Sequence, residues 1–594
     1  MAPKKPTAGH NDPSDDYTLW TVYFLLLAWR STNAASLRTF FQPDEYFQSL
    51  EPAWNLAFGP ESGACITWEW REGLRSSLHP VLFAIFYKAA DSASNILDLG
   101  TTDRAEVLIR APSLLQSAIA AAIDFFTWRL THRIYGRQSK VAHVTLFLTV
   151  VSPWQWFCSV RTFSNSLETA LTVFALYYWP WEWYSGSSDK RPNTRLSGRS
   201  AGKLNLSLFA AALACILRPT NVLVWMVLAL MLFRYNTSKI QTLAVRAVAC
   251  GIVVLIVSLV ADTAFYGKLT FPPLNFLQFN VVQSLSTFYG VNRPDYYFTE
   301  ALSLMLTTAL PFAAIGLWQS LRRPAATDTE EYRVYQVRHL LTWTILTMVL
   351  VLTLINHKEV RFIYPLLPML HVIAAEPMAD FFHPLPVPAS YTRCALLALM
   401  MTANLLIASY AGTTHQRGVI DVMHYLRKQQ EARFQHPPTG SQTNITVGFL
   451  MPCHSTPWRS HLVHPEITAW ALTCEPPLDI PPEQRATYLD EADVFYKTSP
   501  EDWLRSNMAN IDTIKMDWLV TSSDTMKDDK LRAWPEYLVF FDQLVPTLEH
   551  YLTGTQYTEC WRGFNTHWHD DSRRYGDVVV WCLQEPEDRE RQKS

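Results

Sequence analysis

Residues 79–97 read HPVLFAIFYKAADSASNIL, and the membrane topology of the chain turns on whether they cross a bilayer. The run invites a span, but Lys88 and Asp91 interrupt it. The surrounding composition is that of a membrane protein: 49% of the 594 residues are hydrophobic and 17% charged, with 22 Trp. Apolar runs stop near residue 411 and the remainder is polar. A polytopic membrane part followed by a soluble domain is therefore expected. A net charge of -3, with no Lys/Arg-rich recognition segment, gives no footing for a nucleic-acid partner.

Without 79–97, eleven candidate spans fall at 19–36, 107–130, 141–158, 166–184, 204–218, 221–233, 247–264, 298–321, 339–356, 362–380 and 392–411. Several are shorter than the roughly 20 residues a bilayer needs, and would be extended by interfacial Trp and Tyr or be broken helices. Four connections are basic: 131–140 (Arg133, Arg137, Lys140), 185–203 (Lys190, Arg191, Arg195, Arg199, Lys203), 234–246 (Arg234, Lys239, Arg246) and 322–338 (Arg322, Arg323, Arg333, Arg338). With a cytosolic N-terminus and a non-spanning 79–97, all four face the cytosol; a spanning 79–97 flips all four outward. Positive charge thus makes 79–97 an interfacial or re-entrant helix. The expected domains are a disordered cytosolic N-terminus (1–17), a transmembrane catalytic part (18–411) with a first luminal loop (38–106), and a luminal C-terminal domain (412–594). The apolar run at 19–29 has no small-residue cleavage site before the next polar segment, which makes it an uncleaved first span. Runs such as EYLVFFDQLV and DVVVWCL give the C-terminal domain a mixed α/β character.

Two signs in the tail are compatible with a lumen. Asn444-Ile445-Thr446 is a glycosylation sequon. Cys453, Cys474, Cys560 and Cys582 suffice for two disulfides. Pairing in chain order is one of three connectivities, and free thiols are the alternative.

The same charge sorting gathers the polar, motif-like connections on the luminal face. FQPDEYFQSLEPAW (41–54) sets Asp44 and Glu45 directly after a proline. Pro and acids suit a helix start, and one carboxylate could serve as general base on a hydroxyl. HKEVR (357–361) crowds His357, Lys358 and Arg361 between two apolar spans. Such cations suit a phosphate at the membrane boundary, or else snorkel to the surface. SVRTFSNSLE and LRPTN each place one arginine, Arg161 or Arg218, at a span end, as a ligand group or an anchor to helix-end carbonyls. The chain lacks HExxH, CxxC and any Gly-rich nucleotide loop, so neither a metal nor a soluble nucleotide donor is indicated. A lipid-linked donor fits better. A transporter would show inverted repeats and polar residues at mid-membrane, and neither is evident in the sequence.

In this order, FQPDEYFQSLEPAW, TWEW with GLRSSLHP, VRTFSNSLE, LRPTN and above all HKEVRFIYPLLP resemble the dolichyl-phosphate-mannose-dependent mannosyltransferases of glycosyltransferase family 22. The resemblance covers about residues 18–411. It implies a multi-span α-helical GT-C fold in the endoplasmic reticulum membrane with a luminal active site. The donor would be dolichyl-phosphate-mannose, and no resident cofactor is implied. FLMPCHSTPWRSHLVHP (449–465) resembles the members that add the third mannose, in α-1,2 linkage, to the glycosylphosphatidylinositol (GPI) precursor. After SHL the pattern is less regular, and N-glycan mannosyltransferases of the family are the alternative acceptor class. A non-catalytic membrane subunit or lipid transporter is the alternative outside the enzymes. Inversion at the anomeric carbon needs one base: Asp44 first, with Glu45 as runner-up or orienter. His357, Lys358, Arg361, Arg161 and Arg218 are the candidates for the departing phosphate, and Trp68, Trp70 and His79 for the sugar. ER lipids surround the protein; the sequence names no protein partner.

Overall fold

A computed structural model describes residues 13–136, 139–184, 197–279, 288, 290–323, 329–384, 387–388, 390–436, 443–478, 480–514 and 531–583. The expected disorder of 1–17 falls largely outside these, as does most of the basic connection 185–203. The chain divides into two compact units. One comprises 1–36, 113–270 and 290–408; the other comprises 37–112, 271–289 and 409–594. Residues 37–112 thus group with the C-terminal part, whereas the linear division of the sequence set them within 18–411.

The first unit is helical. Over the whole chain seven helical stretches, among the described residues, are long and apolar enough to cross a membrane: Thr101–Tyr135, Gly198–Leu217, Thr237–Tyr266, Tyr297–Leu321, Thr329–Thr353, Val360–Phe381 and Tyr391–Gln435, the first and last of which run on beyond the first unit. They coincide with seven of the eleven expected spans. The other four also form helices, differently built. Pro13–Ser36 is continuous, whereas 141–158 breaks at Ser152 into Lys140–Val151 and Pro153–Cys158. Ser164–Tyr178 stops before Pro180, and Val222–Tyr235 has 14 residues. At 1.5 Å per residue the last covers about 21 Å, less than a bilayer core of about 30 Å.

Burial within this unit is graded. Thr237–Tyr266 turns Val245, Val248, Ile252, Ile256 and Val260 outward, as a lipid-facing helix must. The apolar stretch of Val360–Phe381 is instead almost wholly enclosed. Leu310–Leu321 packs on it through Gly316, where a Cβ would stand 2.2 Å from the Ile373 carbonyl oxygen. Small residues let membrane helices approach this closely. Gly316→Ala must push the helices apart and is expected to cost about 1–3 kcal/mol, read as a lowered thermal midpoint in detergent. An unchanged midpoint would mean that the contact is slack.

Polar residues are also buried inside the spans, contrary to the sequence expectation. Arg30 pairs with Asp124 at 2.6 Å, both fully buried. Gln155 donates to Asp124 at 2.9 Å, and Tyr364 donates to Gln155 at 2.7 Å. A sequence shows each of these groups alone; only packing shows that they satisfy one another.

In the second unit, His79–Leu97 is the helix Leu78–Ile96 and is not among the candidate spans. It buries His79, Pro80, Phe83, Ala84 and Tyr87 on one stripe, while the other side exposes Lys88 together with the apolar Leu82 and Ile85. The same unit holds a five-stranded sheet of β1 (Thr446–Leu450), β2 (Thr468–Ala471), β3 (Tyr537–Phe541), β4 (Tyr557–Thr566) and β5 (Gly576–Leu583). The strand order is β2-β1-β3-β5-β4. β1 runs parallel to β2 and β3, and β5 antiparallel to β3 and β4. The mixed α/β character expected of this domain is therefore present. YLVFF in β3 is apolar throughout because both faces are covered. Disulfides join Cys453 to Cys474 and Cys560 to Cys582. Cys453, Cys474 and Asp490 also bring ligand-type atoms within 4.8 Å of one another, but both sulfurs are engaged in the disulfide.

Candidate active site

The carboxylates and the cations lie in different units, and each group has its own geometry. In the second unit, Asp44 and Glu45 open a helical turn that becomes a π-helix over Tyr46–Leu50 and then the α-helix Glu51–Phe58. Pro43 starts the turn, its carbonyl accepting from the amides of Tyr46 and Phe47 at 2.9 Å each. A single π turn widens the helix locally and is common at functional sites. Glu45 is buried, whereas Asp44 is half-buried and open in part to solvent. The more accessible carboxylate is thus the one expected to act as base.

The turn is braced from several sides. Trp70 Nε1 donates to the Phe47 carbonyl at 3.0 Å, with its ring 1% exposed. An enclosed indole is a strut, so the sugar-stacking face expected of Trp70 is not open. Trp68 is buried too, near Phe279 at a centroid distance of 6.4 Å. His79 is buried edge-on to Phe83, and burial pushes its imidazole down to about 3, hence neutral. Glu51, in the same motif but not singled out from the sequence, is fully buried and accepts from the amides of Cys65 at 3.0 Å and Ser460 at 2.8 Å. Burial raises its carboxyl above the usual range. A glutamate between apolar positions of a helix start was the available signal, but its partner Ser460 lies 409 residues away.

In the first unit, the short 3-10 segment Val360–Leu366 leads into Leu367–Phe381 and carries Arg361. Its guanidinium grips Glu359 with both Nε (2.6 Å) and Nη2 (2.7 Å). His357 Nε2 stands 3.1 Å from the same carboxylate, and Nδ1 stands 3.0 Å from the Gly290 carbonyl. The cation cluster is therefore counterbalanced by Glu359, which the sequence expectation had passed over. Burial alone would raise Glu359, but Arg361 and then His357 hold it far below the carboxylate range. Burial alone would lower His357; the bond to Glu359 outweighs it and holds the imidazole above its ordinary value. Lys358 is buried, with Nζ 3.3 Å from the Asn292 carbonyl.

The remaining motifs converge on this segment. Arg218 and Arg361 lie over the ring of Phe362, at 5.2 and 5.7 Å. Asn221 donates to Glu168 and to Thr172, both at 2.9 Å, while Asn165 donates to the Arg361 carbonyl at 3.2 Å and to Glu168 at 3.3 Å. VRTFSNSLE and LRPTN thus form a polar lattice behind Arg361. Arg161 is fully buried, its Nε donating to the Phe157 carbonyl at 2.8 Å and its guanidinium 4.3 Å from the Phe157 ring. This is the anchoring arrangement that had stood as the alternative for that arginine. Asn165, Glu168 and Asn221 were visible in the motifs, but their polarity gave no sign of which arginine they would serve.

Because the folded pKa of His357 is raised, its contribution to stability is complete below the ordinary value of 6.5 and is lost as pH rises through the folded one. The wild-type thermal midpoint is expected to fall more steeply above about pH 6.5 than that of His357→Gln. Parallel curves would remove His357 from the balance.

A family model described as the Alg9-like mannosyltransferase family matches residues 21–463. The chain belongs to the Alg9-like mannosyltransferase family. It is a mannosyltransferase, as the motifs led one to expect, and the match takes in Asp44, all the cations and the segment 449–463. The relative "GPI mannosyltransferase 3" of Aspergillus fumigatus is 45% identical over 627 residues, covering 98% of this chain and 80% of the relative. The mouse protein "GPI alpha-1,2-mannosyltransferase 3" is 32% identical, covering 93% of this chain and 87% of its own. Among solved structures, ArnT from Cupriavidus metallidurans bound to undecaprenyl phosphate superposes with a TM-score of 0.52 at 12% identity, covering 95% of this chain and 98% of that one. That likeness concerns the fold alone, and it bears out the GT-C architecture.

Proposed function

We propose that this mannosyltransferase adds the third mannose of the GPI precursor, from dolichyl-phosphate-mannose to the 2-hydroxyl of the second mannose, in α-1,2 linkage with inversion. The observation that carries the assignment is the 45% identity, over nearly the whole chain, to a relative named for that step. The mouse relative's name adds the linkage. Asp44 takes the proton of the acceptor hydroxyl, and Glu45 stays buried behind it. The leaving group is a phosphate monoester, already a stable anion, so it needs positive charge more than a proton. Arg218, Lys358 and Arg361 supply that charge, and the bond to Glu359 favours the protonated form of His357. Transfer from labelled dolichyl-phosphate-mannose to a defined two-mannose glycolipid, with linkage analysis, tests the assignment. Product on an N-glycan precursor instead would move it to that branch of the family; no transfer to either would reject it.

The protein would sit in the endoplasmic reticulum membrane with its N-terminus cytosolic and Asp44 and the C-terminal unit luminal. Asn444 is exposed just before β1, as a glycan acceptor must be. In microsomes the chain is expected to shift on deglycosylation, and Asn444→Gln to remove the shift. A wild-type chain without glycan would count against a luminal tail.

A further inference from the structure

Between β1 and β2 the chain passes through 451–467 with two non-glycine residues in the left-handed region, His454 at φ 54° and Val463 at φ 63°. A β-branched residue there is an outlier, and such strain persists only where the surroundings over-determine it. Here they do. Cys453 is tied to Cys474, and Arg574 donates to the Cys453 carbonyl at 3.0 Å. Glu51 holds the Ser460 amide. Buried Arg459 donates to the carbonyls of His464 and, at 3.1 Å, Ile467. Gly63 makes room for that guanidinium: a Cβ would stand 2.8 Å from its Nη2.

This fixed strap presents two imidazoles to the turn that begins at Asp44. His454 meets Phe47 edge-on with ring centroids 4.4 Å apart, and His461 meets Tyr46 at 5.3 Å. Among the described residues, the charged groups that act on His454 are Arg574, Asp44 and Glu475.

We propose that His454 is a positioning residue for Asp44: its ring, fixed on the strap, braces Phe47 and with it the turn that begins at Asp44. The proposal rests on the assignment of Asp44 as base. A neighbouring cation would favour the ionised carboxylate and weaken it as a proton acceptor. Burial, reinforced by Arg574, pushes His454 down to about 4, so the ring is neutral near neutral pH. The strap thereby braces the turn of the base with an uncharged ring.

Three substitutions separate these roles. His454→Gly keeps the left-handed backbone and deletes the ring; His454→Asn keeps a neutral polar group that tolerates this conformation; His454→Lys installs a cation. In the transfer assay with the full chain, His454→Gly is expected to lower kcat about tenfold with donor KM unchanged, and His454→Asn to retain more activity. His454→Lys is expected to move the acid limb of the kcat/KM profile down by about one pH unit. An unmoved limb in a folded His454→Lys protein, or wild-type kcat in His454→Gly, overturns the proposal. Asp44→Asn is measured beside them. If it keeps transfer, the base assignment itself fails and the proposal falls with it; if it is inactive while the limb stays put, His454 alone is rejected.

Discussion

Asp44→Asn is expected to lower kcat by about a hundred- to ten-thousandfold, the usual worth of a positioned general base. Donor KM is expected to stay near the wild-type value, because the residues assigned to the phosphate belong to the other unit. An amide matches the carboxylate in size and leaves in place the backbone bonds of the turn, which the Glu45 amide donates to the Gln42 carbonyl and the Tyr46 and Phe47 amides donate to the Pro43 carbonyl. Glu45→Gln is the control: its side chain is buried, so a loss there accompanied by a fall in thermal midpoint marks a structural carboxylate. Should Asp44→Asn turn over normally while Glu45→Gln is folded and dead, the two roles exchange.

Arg361→Ala carries the second large effect, and its interpretation depends on Glu359. The guanidinium is 6% and the carboxylate 18% exposed, and the fork binds both oxygens. Removing one partner of a buried pair leaves an uncompensated charge, at a cost of about 3–5 kcal/mol. A loss of activity in Arg361→Ala alone would therefore say nothing of phosphate. The double variant Arg361→Ala/Glu359→Gln removes both charges and is expected to recover most of the thermal stability. Its kcat/KM for the lipid-linked donor is expected to stay at least about tenfold down, because a hydrogen-bonding cation at developing negative charge is worth several kcal/mol. If donor use recovers together with stability, Arg361 is a structural partner of Glu359 and the phosphate falls to Arg218 and Lys358.

Much of the architecture was legible because a bilayer imposes a simple rule on local sequence. Thr237–Tyr266 and Tyr391–Thr413 need apolar side chains on almost every face they turn to lipid, so length and composition sufficed. Ser152-Pro153 and Pro180 broke expected spans at residues that cannot continue a helix. For 79–97 the charge of four distant connections argued against a span, and the helix that forms there, Leu78–Ile96, is not among the candidate spans. The chemistry was less legible. Lys358 and Arg361 announced a cation cluster, yet no local pattern assigned Glu359 a role, although it binds His357 and Arg361 directly. Trp70 was taken for a sugar platform because aromatic character is visible in a sequence and enclosure is not.

By itself, then, the sequence determined which segments are apolar enough for a membrane, which motifs carry acids and cations, and which family they resemble. Those properties reside in residue type and short spacing. Tertiary structure alone decided that 37–112 groups with 409–594, that Ser460 satisfies Glu51, and that Asn165, Glu168 and Asn221 stand behind Arg361. The physical reason is that a buried polar group must find a partner wherever the fold brings one near. The choice of partner depends on long-range packing, which no local pattern encodes.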